Sequence, residues 1–104
     1  MSDKSLWAVG EGWHPIIEKL EADLESLIPG YTVFQCKEKF GGLRYYIDYP
    51  ENTSKKSQDT AQGLISDAER RSANTCESCG ESGVTRLGAW IQTLCDVCYK
   101  GKRQ

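Results

Sequence analysis

The stretch from Thr75 to Gly101, TCESCGESGVTRLGAWIQTLCDVCYKG, holds four of the five cysteines of the chain. They fall as Cys76-x-x-Cys79 and Cys95-x-x-Cys98, with fifteen residues between the pairs. Each Cys-x-x-Cys turn presents two sulfurs to one ion, and two such turns complete a tetrahedron, so the spacing is that of a four-cysteine zinc site. Gly80 follows the second cysteine, where the turn needs positive φ. Between the pairs, VTRL and WIQTL read as short strands around Gly88-Ala89. The outline is a zinc ribbon spanning residues 74–101.

Rival uses of the thiols fit less well. A thioredoxin-type redox centre needs one Cys-x-x-Cys beside a βαβ pattern. A disulfide framework needs an oxidising compartment. An iron–sulfur cluster also accepts four thiolates and stays open on sequence alone. A catalytic zinc keeps one position for water, whereas here Cys76, Cys79, Cys95 and Cys98 fill the shell, which predicts one structural Zn²⁺. No H-x-E arrangement of the deaminase kind accompanies the cysteines. The reading is of a protein that is not an enzyme and takes no small-molecule substrate.

Working outward, 104 residues make one small domain, for which a metal supplies stability that a limited core lacks. The net charge is −2, unevenly spread: residues 1–30 carry −4 and the remainder +2. A generic polyanion binder is usually more basic. No apolar run reaches membrane-spanning length, and MSDKSLWAVGEGW lacks the features of a signal peptide, so the expected location is the cytoplasm of a bacterial host cell.

Residues 1–12 read as a loose arm and residues 13–73 as a helix–hairpin–helix core. A first helix starts near His14-Pro15, carries an apolar stripe of Ile16, Ile17, Leu20, Leu24, Leu27 and Ile28 with Glu18, Glu21 and Glu25 off it, and stops at Pro29-Gly30. YTVFQCKEKFGGLRYYIDYP then predicts a β-hairpin turning on Gly41-Gly42. That register pairs Phe40 with Leu43, Glu38 with Tyr45, Cys36 with Ile47 and Phe34 with Tyr49 on a mostly apolar face. Lys39–Arg44, Lys37–Tyr46 and Gln35–Asp48 lie on the other. A second helix runs from about Ser57 to Ala73 with a stripe of Ala61, Leu64, Ile65 and Ala68. The fold class is therefore α+β, helix, hairpin, helix and a C-terminal Cys₄ ribbon packed as one small domain.

Two resemblances follow from these residues. CESCGESGVTRLGAWIQTLCDVC resembles the zinc finger of DksA/TraR-type transcription factors, through C-x-x-C-G, Arg86-Leu87-Gly88-Ala89 and Leu94 before the second pair. That family places its finger after a long coiled coil that probes the RNA polymerase secondary channel. The helices here are short and a hairpin lies between them. The order WHPII, KEKFGGLRYYI, DAERRSANTCESCG and LGAWIQTLCDVC, from Trp13 to Cys98, resembles a group of small phage, prophage and bacterial proteins. This second resemblance implies that helix, hairpin, helix and ribbon form one unit in a mobile-element setting. Small proteins in that setting often regulate transcription or block a host system.

The candidate partner-binding residues are Lys37, Lys39, Arg44 and Tyr46 on the hairpin, where cations beside an aromatic suit phosphate or an acidic protein patch, and Trp7 in the arm. Arg70, Arg71, Arg86, Lys100, Lys102 and Arg103 flank the ribbon and extend this basic character. Trp13 and Trp90 are expected to pack, Cys36 to be a buried small hydrophobe, and His14 to sit at the helix start. Glu38 stands on the apolar face without an evident reason. The expected function is that of a phage-type regulator or inhibitor binding a host protein or nucleoprotein complex, RNA polymerase or a defence complex such as a CRISPR effector. The alternative is a direct nucleic-acid-binding zinc-ribbon protein.

Overall fold

The fold was read from a computed structural model that describes residues 7–102. A 3₁₀ turn, Glu11–Trp13, runs straight into α1, His14–Leu27, with Pro15 in its first turn where a missing N–H costs nothing. An antiparallel hairpin follows, β1 Thr32–Lys39 and β2 Gly42–Asp48. Next come α2, Lys55–Ser72, and a second antiparallel pair, β3 Val84–Arg86 and β4 Gln92–Leu94. A short helix, α3 Asp96–Lys102, ends the described chain. The molecule is a small α+β domain whose C-terminal cysteines cluster as in a zinc ribbon. Among the described residues, no helix is long and apolar enough to cross a membrane.

The core lies between α1, α2 and one face of the hairpin. Ile16, Ile17, Leu20 and Leu24 from α1 and Ile28 just after it meet Ala61, Ile65 and Ala68 from α2 and Cys36, Leu43, Tyr45 and Ile47 from the strands. Helix α2 begins at Ser54, whose hydroxyl accepts the Ser57 N–H at 3.1 Å and so satisfies an otherwise orphaned donor. Along its last turns it covers the free edge of β2. The Leu43 N–H donates to Ser72 Oγ at 2.9 Å and the Tyr45 N–H to Glu69 Oε2 at 3.2 Å. Two ladder donors that would otherwise invite edge pairing are thereby closed off.

The hairpin turns one residue earlier than expected. Its loop is Phe40-Gly41, with Lys39 opposite Gly42, Glu38 opposite Leu43 and Cys36 opposite Tyr45. Both loop residues are left-handed, φ 53° at Phe40 and 83° at Gly41, as a type I′ turn requires. Glu38 accounts for this choice, since its carboxylate accepts the Gly41 N–H at 2.7 Å and ties the loop. The ribbon adds to it, since Thr93 donates its hydroxyl to the Gly41 carbonyl at 2.6 Å. The pairing shift spans two positions, so the faces are unchanged: Cys36, Leu43 and Tyr45 still point inward, Lys37, Arg44 and Tyr46 outward.

Both phenylalanines nevertheless leave the core. Phe40 is in the loop, and a bulge between Val33 and Gln35 sets Val33 opposite Ile47 and turns Phe34 outward. A bulge inserts one extra residue and re-aims the side chains around it. Phe34 then stacks on Tyr46, ring centroids 5.8 Å apart.

One polar group crosses into the core where a solvated one was expected. Glu21 is buried on α1 and accepts the Tyr45 hydroxyl at 2.6 Å, with the Tyr31 hydroxyl 3.5 Å from that of Tyr45. Burial, then the Glu21 hydrogen bond, holds the Tyr45 phenol neutral far above its ordinary 10.0. Burial likewise pushes the Cys36 thiol from 9.0 up to about 12. These groups fold in the neutral form while the unfolded chain ionises them first, so their contribution is present below the unfolded values and lost as pH rises. The Tm advantage of the parent over a Cys36→Ala variant, followed by circular dichroism, should therefore stay constant from neutrality to just below pH 9 and shrink between about 9 and 12, since the metal ligands are common to both proteins and cancel.

Candidate metal centre

The site begins at the end of α2. Its last turn hands the chain to Thr75, and the Cys76 N–H donates to the Glu81 carbonyl at 2.6 Å while Gly80 N–H returns to the Cys76 carbonyl at 2.9 Å. This closes the first knuckle. Gly80 has φ 88°, the left-handed position its place after Cys79 suggests. The second knuckle rises from β4 into α3, where the Cys98 N–H points at Cys95 Sγ, 3.4 Å away. Strands β3 and β4 hold the two knuckles side by side.

The four sulfurs of Cys76, Cys79, Cys95 and Cys98 all lie within 4.8 Å of one another, and those of Cys79 and Cys95 are 3.6 Å apart. A tetrahedron with metal–sulfur bonds of about 2.3 Å has edges of about 3.8 Å. The cluster therefore fits a single tetrahedral ion and can hold one. Its electrostatics fit the same conclusion. Burial works to raise the Cys76 thiol, but backbone N–H groups of Cys95, Cys79 and Ser78 outweigh it and bring it down to about 6. Crowding by the Cys95, Cys76 and Cys79 sulfurs pushes Cys98 up to about 12. Four thiolates this close repel one another until a cation sits among them.

Arg86 supports the second knuckle. Its guanidinium donates to the Leu94 carbonyl at 3.1 and 3.2 Å and to Asp96 at 2.7 Å, and it lies 4.5 Å from the Tyr99 ring centre. It stitches β3, β4 and α3 together and is no part of an open basic surface. The paired Arg86 holds the Asp96 carboxyl below its ordinary value. Arg70 is paired with Asp67. Arg103 lies outside the described residues.

No protein-family model, curated protein or solved structure matches this chain. The geometry is therefore the ground on which the site is read.

The structure redistributes the remaining candidates. Trp7, expected in a loose arm, is 7% exposed and part of the core, its ring edge-on to His14 at 5.0 Å. The segment from Trp7 onward packs against β1, where the Ala8 N–H donates to the Cys36 carbonyl at 2.9 Å. Trp7 is thus a packing residue and not a free anchor. The earlier part of the arm, residues 1–6, lies outside the described residues. Trp90, expected to pack, is 66% exposed at the ribbon turn, while Trp13 is fully buried. Lys37, Arg44 and Tyr46 share the outer face of the hairpin, with Lys39 beside them at its tip.

The N-terminal segment is also a support of the cysteine cluster that sequence reasoning missed. The Gly12 N–H donates to the Glu77 carbonyl at 2.7 Å and the Gly10 N–H to Glu77 Oε2 at 2.9 Å. The Trp13 indole donates to the Thr75 carbonyl at 2.9 Å. A Cβ built on Gly12 would stand 2.1 Å from the Cys76 carbonyl oxygen. Two glycines flanking Glu11 in a polar segment are the trace of this close approach in the sequence.

Proposed function

We propose that this chain is a zinc-stapled binding protein of phage type, a regulator or inhibitor that works by docking on a host machine and not by turnover. The observation that carries this reading is the outer face of the hairpin. Phe34, 63% exposed, stacks on Tyr46 one rung from Lys37 and Arg44, and Phe40, 68% exposed, stands at the tip with the Lys39 ammonium near its ring. Aromatic and arginine side chains grouped in this way supply most of the binding energy at protein interfaces. Phe40 adds weight, because a bulky residue at positive φ in an exposed loop is costly for the fold.

In this reading the zinc is structural: four cysteines close its shell, and the ribbon braces the tip of the hairpin through Thr93 and Gly41. The resemblance to small phage and prophage proteins supports a host target such as RNA polymerase or a defence complex, a CRISPR effector among them. The cations beside the aromatics support the alternative, a protein that contacts nucleic acid directly.

The test is a tagged pull-down from a bacterial host, nuclease-treated, with metal measured on the same sample. The expected result is one zinc per chain and a stoichiometric partner that a Phe34→Ala, Arg44→Glu variant of unchanged Tm fails to retain. A partner retained equally by that variant would rule out the hairpin face.

A further inference from the structure

We infer that the outer face of the hairpin is a stacking platform for single-stranded nucleic acid, the component of a host nucleoprotein machine that this face engages. The inference rests on the reading of that face as a docking surface. Three features converge on it.

The first is the stacked pair Phe34–Tyr46, ring centroids 5.8 Å apart with 22° between the planes. Phe34 reaches this position only because the bulge turns it out of the core, which leaves the smaller Val33 packed inside. The second is the charge around the rings. Lys37 lies directly opposite Arg44 across the two strands, and Gln35 opposite Tyr46, so cation and aromatic are successive outward rungs of one ladder. Lys39 follows at the tip with its ammonium 5.6 Å from the Phe40 ring centre. Among the described residues, none of these three cations forms an ion pair, as is also true of Lys56 and Arg71 on α2, but only on the hairpin do such cations lie beside exposed aromatic rings. The third is Phe40 itself, held at φ 53° where glycine or asparagine sits with less strain.

Cations that track a backbone, with aromatic faces at either end of them, suit an unpaired strand: every base has a face to stack on, and sequence matters little. A duplex hides those faces. An acidic protein patch would use the cations but gives the stacked rings no flat partner. With three cations the electrostatic footprint is small, so affinity is modest and salt-sensitive in proportion.

The measurement is fluorescence anisotropy of the zinc-loaded full chain with a fluorescein-labelled oligothymidylate of about 15 nucleotides. The expected outcome is binding at low salt whose log K falls against log[salt] with a slope of about −2, three contacts at about −0.7 each. A duplex of the same length should bind more weakly. Phe34→Ala or Tyr46→Ala should each cost about tenfold or more. Lys37→Gln should flatten the slope by about 0.7. Phe40→Gly should weaken binding while leaving Tm unchanged or raised, which separates a contact role from a folding role.

Absence of binding at low salt would overturn the inference. So would binding that prefers the duplex or ignores Phe34, Tyr46 and Phe40. Capture of a labelled Glu-rich peptide in place of the oligonucleotide would also overturn it and mark the face as one for acidic protein segments. The pull-down is independent of these outcomes: a nuclease-resistant partner can survive the failure of the oligonucleotide, and the reverse.

Discussion

Zinc bound by the Cys76, Cys79, Cys95 and Cys98 cluster is expected to hold the ribbon together, so that chelation unfolds it and loosens the N-terminal segment with it. A structural zinc contributes about 10–16 kcal/mol of apparent binding free energy. That equals or exceeds the ~5–15 kcal/mol by which a whole domain is stable. The ribbon's strands are three residues each and include one buried apolar residue, Leu94, so little else holds them. The consequence reaches Gly10, Gly12 and Trp13, because their three hydrogen bonds end on Thr75 and Glu77 of the first knuckle. Each is worth about 1 kcal/mol.

Chelation in a Trp90→Phe background isolates Trp7 and Trp13. Their emission should shift to the red, and the Tm should fall well below that of the loaded protein. Cys76→Ser should do the same without chelator. Emission that stays blue while the ribbon melts would mean that the His14 and Cys36 contacts of the segment suffice to hold it.

Gly12→Ala should be the most damaging single change outside the cysteines. The added methyl would meet the Cys76 carbonyl oxygen at 2.1 Å, Gly80 N at 2.6 Å and the Glu77 carbonyl carbon at 2.7 Å. All three are backbone atoms of the knuckle, so no side chain can swing aside. Relief requires moving the segment off the cluster, which breaks the Gly12 N–H bond to Glu77 and drags Trp13 from its fully buried site. The expected cost is about 3 kcal/mol or more, a fall in Tm of roughly 10–20 °C for a domain of this size.

Gly63→Ala is the matched control. Gly63 lies inside α2 with nothing within 4 Å of its would-be Cβ, so alanine there should raise stability by about 0.5–1 kcal/mol. Denaturant unfolding of both variants decides the matter. A Gly12→Ala protein as stable as the parent would show that the knuckle tolerates displacement.

The metal cluster was legible because its signal is local: two Cys-x-x-Cys turns each fix their own sulfurs, and Gly80 marks the turn. Helix α1 was legible from Pro15 and the spacing of Ile16, Ile17, Leu20 and Leu24, since a stripe at helical period has one face to bury. From residue 36 to residue 46 the faces of the hairpin followed from alternation alone and survived a shift of the turn, because side chains repeat every two residues.

Other features depended on partners distant in the chain. Phe40 and Phe34 look like core residues to any pattern reader, yet a loop set by Glu38 and the ribbon, and a bulge beside Val33, place both outside. Glu21 reads as solvated, yet Tyr45, twenty-four residues on, gives its carboxylate a buried donor. Trp7 reads as loose, yet His14 and the edge of β1 take it in. The sequence by itself determined the two long helices, the two hairpins and the four cysteines that cluster, all of which rest on short-range periodicity and turn chemistry. Only the tertiary structure decided which aromatics face solvent and that Gly10 and Gly12 lie against the metal knuckle, because those outcomes come from contacts between segments more than sixty residues apart or from a register that a distant neighbour selects.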